Sequence, residues 1–183
     1  MGETQRYAIP YKGLKPGCHE FRFEVDGSLF EEYQSTEIKD GRCEVTVGAD
    51  RSESRIVLDV AITGYVIVEC DRCLEDCRIP IDFEGQLVVK FSEEVHEYDG
   101  EVMWMLPGED QVDLKQYIYE SICLSLPYQR VHPDDSEGRS TCDPDMLSRF
   151  RIVSEEEFDR LCPGTETDGS SPWEKLKEIK PSK

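Results

Sequence analysis

The residue types best suited to chemistry here are cysteines. The chain has eight, and three fall within eight positions: Cys70, Cys73 and Cys77. Cys70 and Cys73 form a C-x-x-C pair between two segments that alternate like strands. At a hairpin tip such a pair can point both sulfurs at one tetrahedral metal ion, and zinc suits that donor set. Two further ligands are then required, and no second close C-x-x-C exists. The candidates are Cys77, Cys142, His132 and Cys162. Cys77 lies four residues beyond Cys73, where hairpin geometry carries it away. His132 and Cys142 share one loop and can complete a Cys3His set with Cys70 and Cys73. A zinc ion there would contribute on the order of 10 kcal/mol to holding the two halves of the chain together.

Two other readings of the same cysteines compete with zinc. A redox C-x-x-C normally opens a helix, where the helix dipole lowers the thiol pKa. Here Asp71, Glu75 and Asp76 surround the pair, which is expected to raise it. The second alternative is a set of buried, unreactive thiols. An enzyme centred on Cys70 and Cys73, metal- or thiol-dependent, is the alternative functional class. The chain has no phosphate-binding glycine loop, nucleophile elbow, H-E-x-x-H or dinucleotide fingerprint to support one.

Elements that could position these residues are written in the hydrophobic pattern. Phe21, Phe23 and Val25 alternate with charged residues, and Asp26-Gly27 offers a turn. Cys43, Val45 and Val47 repeat the pattern, as do Ile56 to Ile62, Tyr65 to Val68, Ile79 to Phe83 and Leu87 to Phe91. About six short strands predict an α+β protein: an antiparallel sheet or partly closed barrel with one main covering helix. That helix follows Asp113, a capping residue, and places Leu114, Tyr117, Ile118, Ser121 and Ile122 on one face before Pro127 stops it. The sheet and helix occupy residues 1–128. Residues 129–183 form an acidic, loop-rich extension in which Asp143-Pro144 opens a short helix and Ser154 with Glu157 makes a capping box.

The extension ends in a different character. Ser171-Pro172-Trp173-Glu174 starts a helix, with Trp173, Leu176 and Ile179 as apolar anchors and Lys175, Lys177 and Lys180 beside them. Too short to stand alone, it must dock on the acidic body or on a partner.

Charge narrows the partners. Lys plus Arg number 21 against 40 Asp plus Glu, a formal net charge of −19. Nucleic-acid phosphate and anionic lipid are repelled by such a field, and a cationic protein, metal ion or polyamine is attracted. Between Glu93 and Asp113 there are eight acidic residues and no Lys or Arg; Met103 to Leu106 interrupt them, and Trp104 is expected to tuck into the core. No uncharged stretch exceeds nine residues, so no membrane-spanning helix is expected. Met1 to Arg6 does not open a signal peptide, and reduced thiols in the cytoplasm are the expectation.

Four segments together resemble a known family. Glu69-Cys70-Asp71-Arg72-Cys73-Leu74-Glu75 is similar to the E-C-x-R-C-L-E signature of the YceD-like proteins. The helix end Ile122 to Pro127 resembles their E-x-I-x-L-x-L-P segment, and His132 and Cys142 match their V-P-x-H … C loop. Ser171 to Leu176 resembles their terminal N-P-[FW]-x-x-L motif. The order agrees from about Phe21 to the end. The resemblance implies a non-enzymatic factor for the accumulation, processing or assembly of large-subunit ribosomal RNA. Joined to the charge, it implies a basic ribosomal protein or the pre-ribosomal large subunit as partner, with RNA contact through the basic tail as a further route. Many relatives carry a second cysteine pair after the His loop. Here Cys142 stands near that place, and Leu161-Cys162-Pro163-Gly164 echoes it far downstream.

Overall fold

The structure, a computed structural model, describes residues 6–52, 55–94, 98–106, 108–149, 154, 157, 160 and 161. Strand β1 (Ala8–Pro10) is followed by β2 (Gly17–Val25), helix α1 (Gly27–Glu32), β3 (Ile38–Arg51), β4 (Arg55–Glu69) and β5 (Asp76–Phe91). After these come β6 (Val102–Met105), β7 (Gln111–Asp113), α2 (Lys115–Leu124) and α3 (Pro144–Leu147). Five strands form one sheet in the order β2-β3-β4-β5-β6, and β1 pairs with β7 in a second, two-stranded sheet. The chain divides into two compact units, Met1–Pro144 and Asp145–Lys183. In the second, the Glu157 N–H donates to the Ser154 carbonyl and hydroxyl, which is the serine half of a capping box.

The α+β class and the covering helix are present, but the expected antiparallel sheet or partly closed barrel needs correction. β6 runs parallel to β5, so the sheet is mixed, and β2 and β6 stand at opposite ends of the strand order. It is open, not closed. The strands are also longer than expected. Residues 56–62 and 65–68 belong to one strand, because Gly64 continues β4 instead of turning it. Gly64 has φ +155°, and a Cβ there would meet the Arg42 carbonyl oxygen at 2.3 Å. Only glycine lets β3 approach this closely. β5 likewise runs through Gly85, where a Cβ would meet Phe83 at 2.5 Å and the Tyr117 hydroxyl at 2.7 Å.

Asp26 initiates α1 instead of a turn. Its carboxylate accepts the Ser28 N–H at 3.2 Å and pairs with Arg6 at 2.6 Å. The two effects hold its carboxyl well below the usual range, at about 2, with the Arg6 hydrogen bond the larger cause and Ser28 next.

One face of the sheet carries the core, from Val45 and Val47 through Leu58, Val60 and Ile62 to Leu87 and Val89, all buried. Leu114, Tyr117, Ile118, Ser121 and Ile122 are buried too, as the helical spacing predicts. Asp113 accepts the Lys115 N–H at 2.9 Å, so it satisfies a free donor at the helix start. Tyr117 sets its ring edge-on to Phe83, with centroids 6.3 Å apart, over the gap that Gly85 leaves. Of Met103 to Leu106, Met105 is buried, while Trp104 is half-buried with the Lys90 ammonium 5.4 Å from its ring centroid. No helix among the described residues is long and apolar enough to cross a membrane.

Candidate metal centre

The β4–β5 hairpin closes through Cys70 to Glu75. The Cys70 N–H donates to the Glu75 carbonyl and the Leu74 N–H to the Cys70 carbonyl, both at 2.9 Å. This tight knuckle forces Leu74 to φ +62°, a conformation that costs a non-glycine residue about 1–2 kcal/mol. The segment after α2 clamps onto the knuckle. The Asp71 N–H donates to the Arg130 carbonyl at 2.8 Å, and the Arg130 N–H donates to the Asp71 carboxylate at 2.7 Å. Two residues on, His132 arrives beside the cysteines.

Cys142 returns because the intervening loop folds on itself. Asp134 bridges to Ser140, the Asp135 N–H donates to the Arg139 carbonyl at 2.8 Å, and Gly138 supplies a φ of +76° at the turn. The Asp135 carboxylate gathers the N–H groups of Glu137 and Arg139. The Thr141 hydroxyl donates to the Pro133 carbonyl at 2.7 Å and closes the base of the loop. His132 and Cys142 therefore leave it side by side.

The ligand atoms of Cys70, Cys73, His132 and Cys142 all lie within 4.8 Å of one another. The three cysteines are buried and the histidine half-buried. Tetrahedral zinc, with Zn–S about 2.3 Å and Zn–N about 2.0–2.1 Å, spaces two sulfurs about 3.8 Å apart and a sulfur and nitrogen about 3.6 Å apart. Cys70 Sγ and Cys142 Sγ are 3.8 Å apart, and Cys73 Sγ and His132 Nδ1 are 3.4 Å apart. His132 Nε2 lies 3.1 Å from the Asp76 carbonyl oxygen. A carbonyl only accepts, so Nε2 carries a proton, which leaves Nδ1 as the atom that would turn its lone pair to a bound metal. Orienting a ligand histidine through its other nitrogen is the usual arrangement at metal sites.

Without a metal, the clustered side chains compete for protons. Burial works to raise the Cys70 pKa, but the N–H groups of Cys73, Arg72 and His132 outweigh it and bring the thiol to about 6. For Cys70 this corrects the rise expected from the acidic neighbours: backbone donors at contact distance decide the shift, not solvent-facing carboxylates. The Cys73 thiol is pushed up, by burial first, with Cys70 and Cys142 adding to the rise against the N–H groups of Asp143 and Glu75. Burial disfavours the His132 imidazolium, but hydrogen bonds with Cys142, Cys70 and the Asp76 carbonyl raise its pKa overall. Three crowded thiols cannot all ionise without opposite charge between them, and a divalent ion supplies it.

Cys77 sits on β5, where it pairs with Val68, is buried, and has its thiol raised by burial. It is not part of the four-residue cluster. Cys162 and the tail residues Trp173, Lys175, Leu176, Lys177 and Lys180 lie outside the described residues. The roles of Asp71, Arg130 and the Asp76 carbonyl are not visible in the sequence. A backbone carbonyl leaves no residue signature, and the Asp71–Arg130 clamp joins positions 59 apart.

An open, mixed sheet whose hairpin tip supplies two cysteine sulfurs, met by an imidazole and a third sulfur from the loop after α2 at the spacing of a structural zinc site, defines the class. A scan of protein families then matches residues 58–180 to the large ribosomal RNA subunit accumulation protein YceD, and the chain belongs to that family. The matched span contains all four clustered residues. Neither the curated proteins nor the solved structures gave a match.

Proposed function

We propose that this protein is a non-enzymatic, zinc-stapled cytoplasmic factor for the accumulation, processing or assembly of large-subunit ribosomal RNA, and that it acts by binding a basic ribosomal protein or the pre-ribosomal large subunit. The family match over residues 58–180 carries this reading. The cage supports the zinc part of it. Cys70, Cys73, His132 and Cys142 would hold the ion, which supplies a cross-link between the β4–β5 hairpin and the loop after α2. The donor set has the closed Cys3His form of a structural site, with no residue set aside for a water or substrate. A net charge of −19 supports a basic protein partner over bare RNA.

Sucrose-gradient profiles of ribosomal subunits from cells depleted of the protein test the role. A selective shortage of large subunits is expected, restored by the wild-type gene. A normal ratio of large to small subunits contradicts it.

A further inference from the structure

We infer that the tip of the metal hairpin is a protein-docking surface, with Leu74 as its apolar anchor and a basic protein segment bearing an apolar side chain as its occupant. The inference rests on the proposed function only for the source of that segment.

Leu74 carries the argument. It adopts φ +62°, where glycine is cheaper, yet its side chain is 58% exposed. Holding a leucine in a strained backbone only to face water gives the fold nothing. Strain combined with exposure points to work done outside the chain. Leu74 also lines a groove of about 200 Å³, together with Thr36, Glu37, Lys39 and Arg130.

The end of α2 and the segment that leads from it to the knuckle also expose apolar side chains. Tyr128 is 99% exposed and Leu124 84% exposed. Tyr128 lies two residues from Arg130, whose backbone is bonded to the knuckle at Asp71, so it stands within about 7 Å of that clamp.

Charge selects the occupant. The tip and groove carry Glu37, Glu69, Asp71, Glu75 and Asp76 against Lys39, Arg72 and Arg130, five minus three, a formal −2. Arg130 pairs with Glu37 at 3.2 Å and Asp71 at 3.8 Å, and Lys39 with Asp76 at 2.7 Å and Glu69 at 3.5 Å, so it is the net excess of two negative charges, not any free carboxylate, that favours a cation. Apolar anchors among carboxylates complement a segment with lysine or arginine flanking an apolar residue, and they repel phosphate.

The test uses the full-length, zinc-loaded protein on an array of 15-residue peptides tiling the large-subunit ribosomal proteins, with composition-matched scrambles and acidic controls. Wild type is expected to bind basic peptides that contain an apolar residue. Leu74→Gly is expected to keep its zinc and melt at or above the wild-type temperature, yet bind those peptides at least tenfold more weakly. Tyr128→Ser, at a fully exposed position, is expected to weaken binding without changing the melt. Leu74→Gly binding as wild type does would overturn the inference. So would a marked fall in its melting temperature, a preference for acidic peptides, RNA competing for the same surface, or no peptide bound at all. If scrambled basic peptides bind as well as ribosomal ones and Leu74→Gly still abolishes both, the surface stands and the ribosomal reading falls.

Discussion

Replacing Cys142 by serine is the sharpest perturbation of the cage. Cys142 is buried, and its sulfur lies 3.8 Å from Cys70 Sγ at the tetrahedral spacing. A structural zinc site is worth an apparent ~10–16 kcal/mol, or roughly 3–4 kcal/mol per ligand when shared among four. At about 1.4 kcal/mol per tenfold, losing one ligand weakens zinc binding roughly 10²–10³-fold. With zinc in excess, the folded state loses a similar ~3–4 kcal/mol through linkage. Without metal the substitution only exchanges one small buried group for another, so the metal-free proteins should differ by no more than about 1 kcal/mol. Chelator competition gives the affinity, and denaturant unfolding with and without zinc gives the stability. The expected pattern is agreement within about 1 kcal/mol when metal-free and separation by ~3–4 kcal/mol when loaded. Wild-type zinc affinity in Cys142→Ser, or the full difference already present without metal, refutes the reasoning.

Three further outcomes follow from the fold. Gly64→Ala places a Cβ 2.3 Å from a backbone oxygen that cannot step aside, and is expected to cost at least about 2 kcal/mol in denaturant unfolding. Gly85→Ala meets the side chains of Phe83 and Tyr117, which can give a little, and is expected to cost about 1–3 kcal/mol. Asp26 has its pKa lowered to about 2, so its contribution is complete above its ordinary value near 4 and is lost as pH falls through 2. Wild type and Asp26→Asn should therefore differ in stability at pH 7 and lose most of that difference by pH 2, as followed by unfolding at both pH values.

Much of this architecture is legible in the residues, because alternation reports which face of a strand is buried. Phe21 to Val25, Cys43 to Val47 and Ile56 to Ile62 all lie in strands, and the helix face from Leu114 to Ile122 is buried as its spacing requires. What escapes is whatever depends on partners distant in sequence. Gly64 and Gly85 look like strand ends, yet each is a place where another element comes close; a glycine's reason lies in its neighbour, not in its own segment. The Asp26-Gly27 dipeptide serves a turn and a helix start equally well, and Arg6 and Ser28 decide between them. The parallel pairing of β6 has no local signature at all.

The cage shows the same division. Cys70 and Cys73 announce themselves by spacing, and Cys77 is separated from them by strand periodicity, since it shares the inward face with Ile79 and Ile81. His132 and Cys142 are visible only as metal-ligating types in one loop. Their meeting depends on the Asp135 turn and the Asp71–Arg130 clamp, which are hydrogen bonds and not motifs.

X-ray absorption at the zinc edge of the purified full-length protein, joined to metal analysis, tests the central claim most directly. One zinc per chain is expected, with about three sulfurs at ~2.3 Å and one nitrogen at ~2.0–2.1 Å. Loss of one sulfur from the shell in Cys70→Ser, and of the nitrogen in His132→Ala, would assign the ligands. A chain that takes up no zinc, or a shell of oxygen and nitrogen unchanged by these substitutions, contradicts the account.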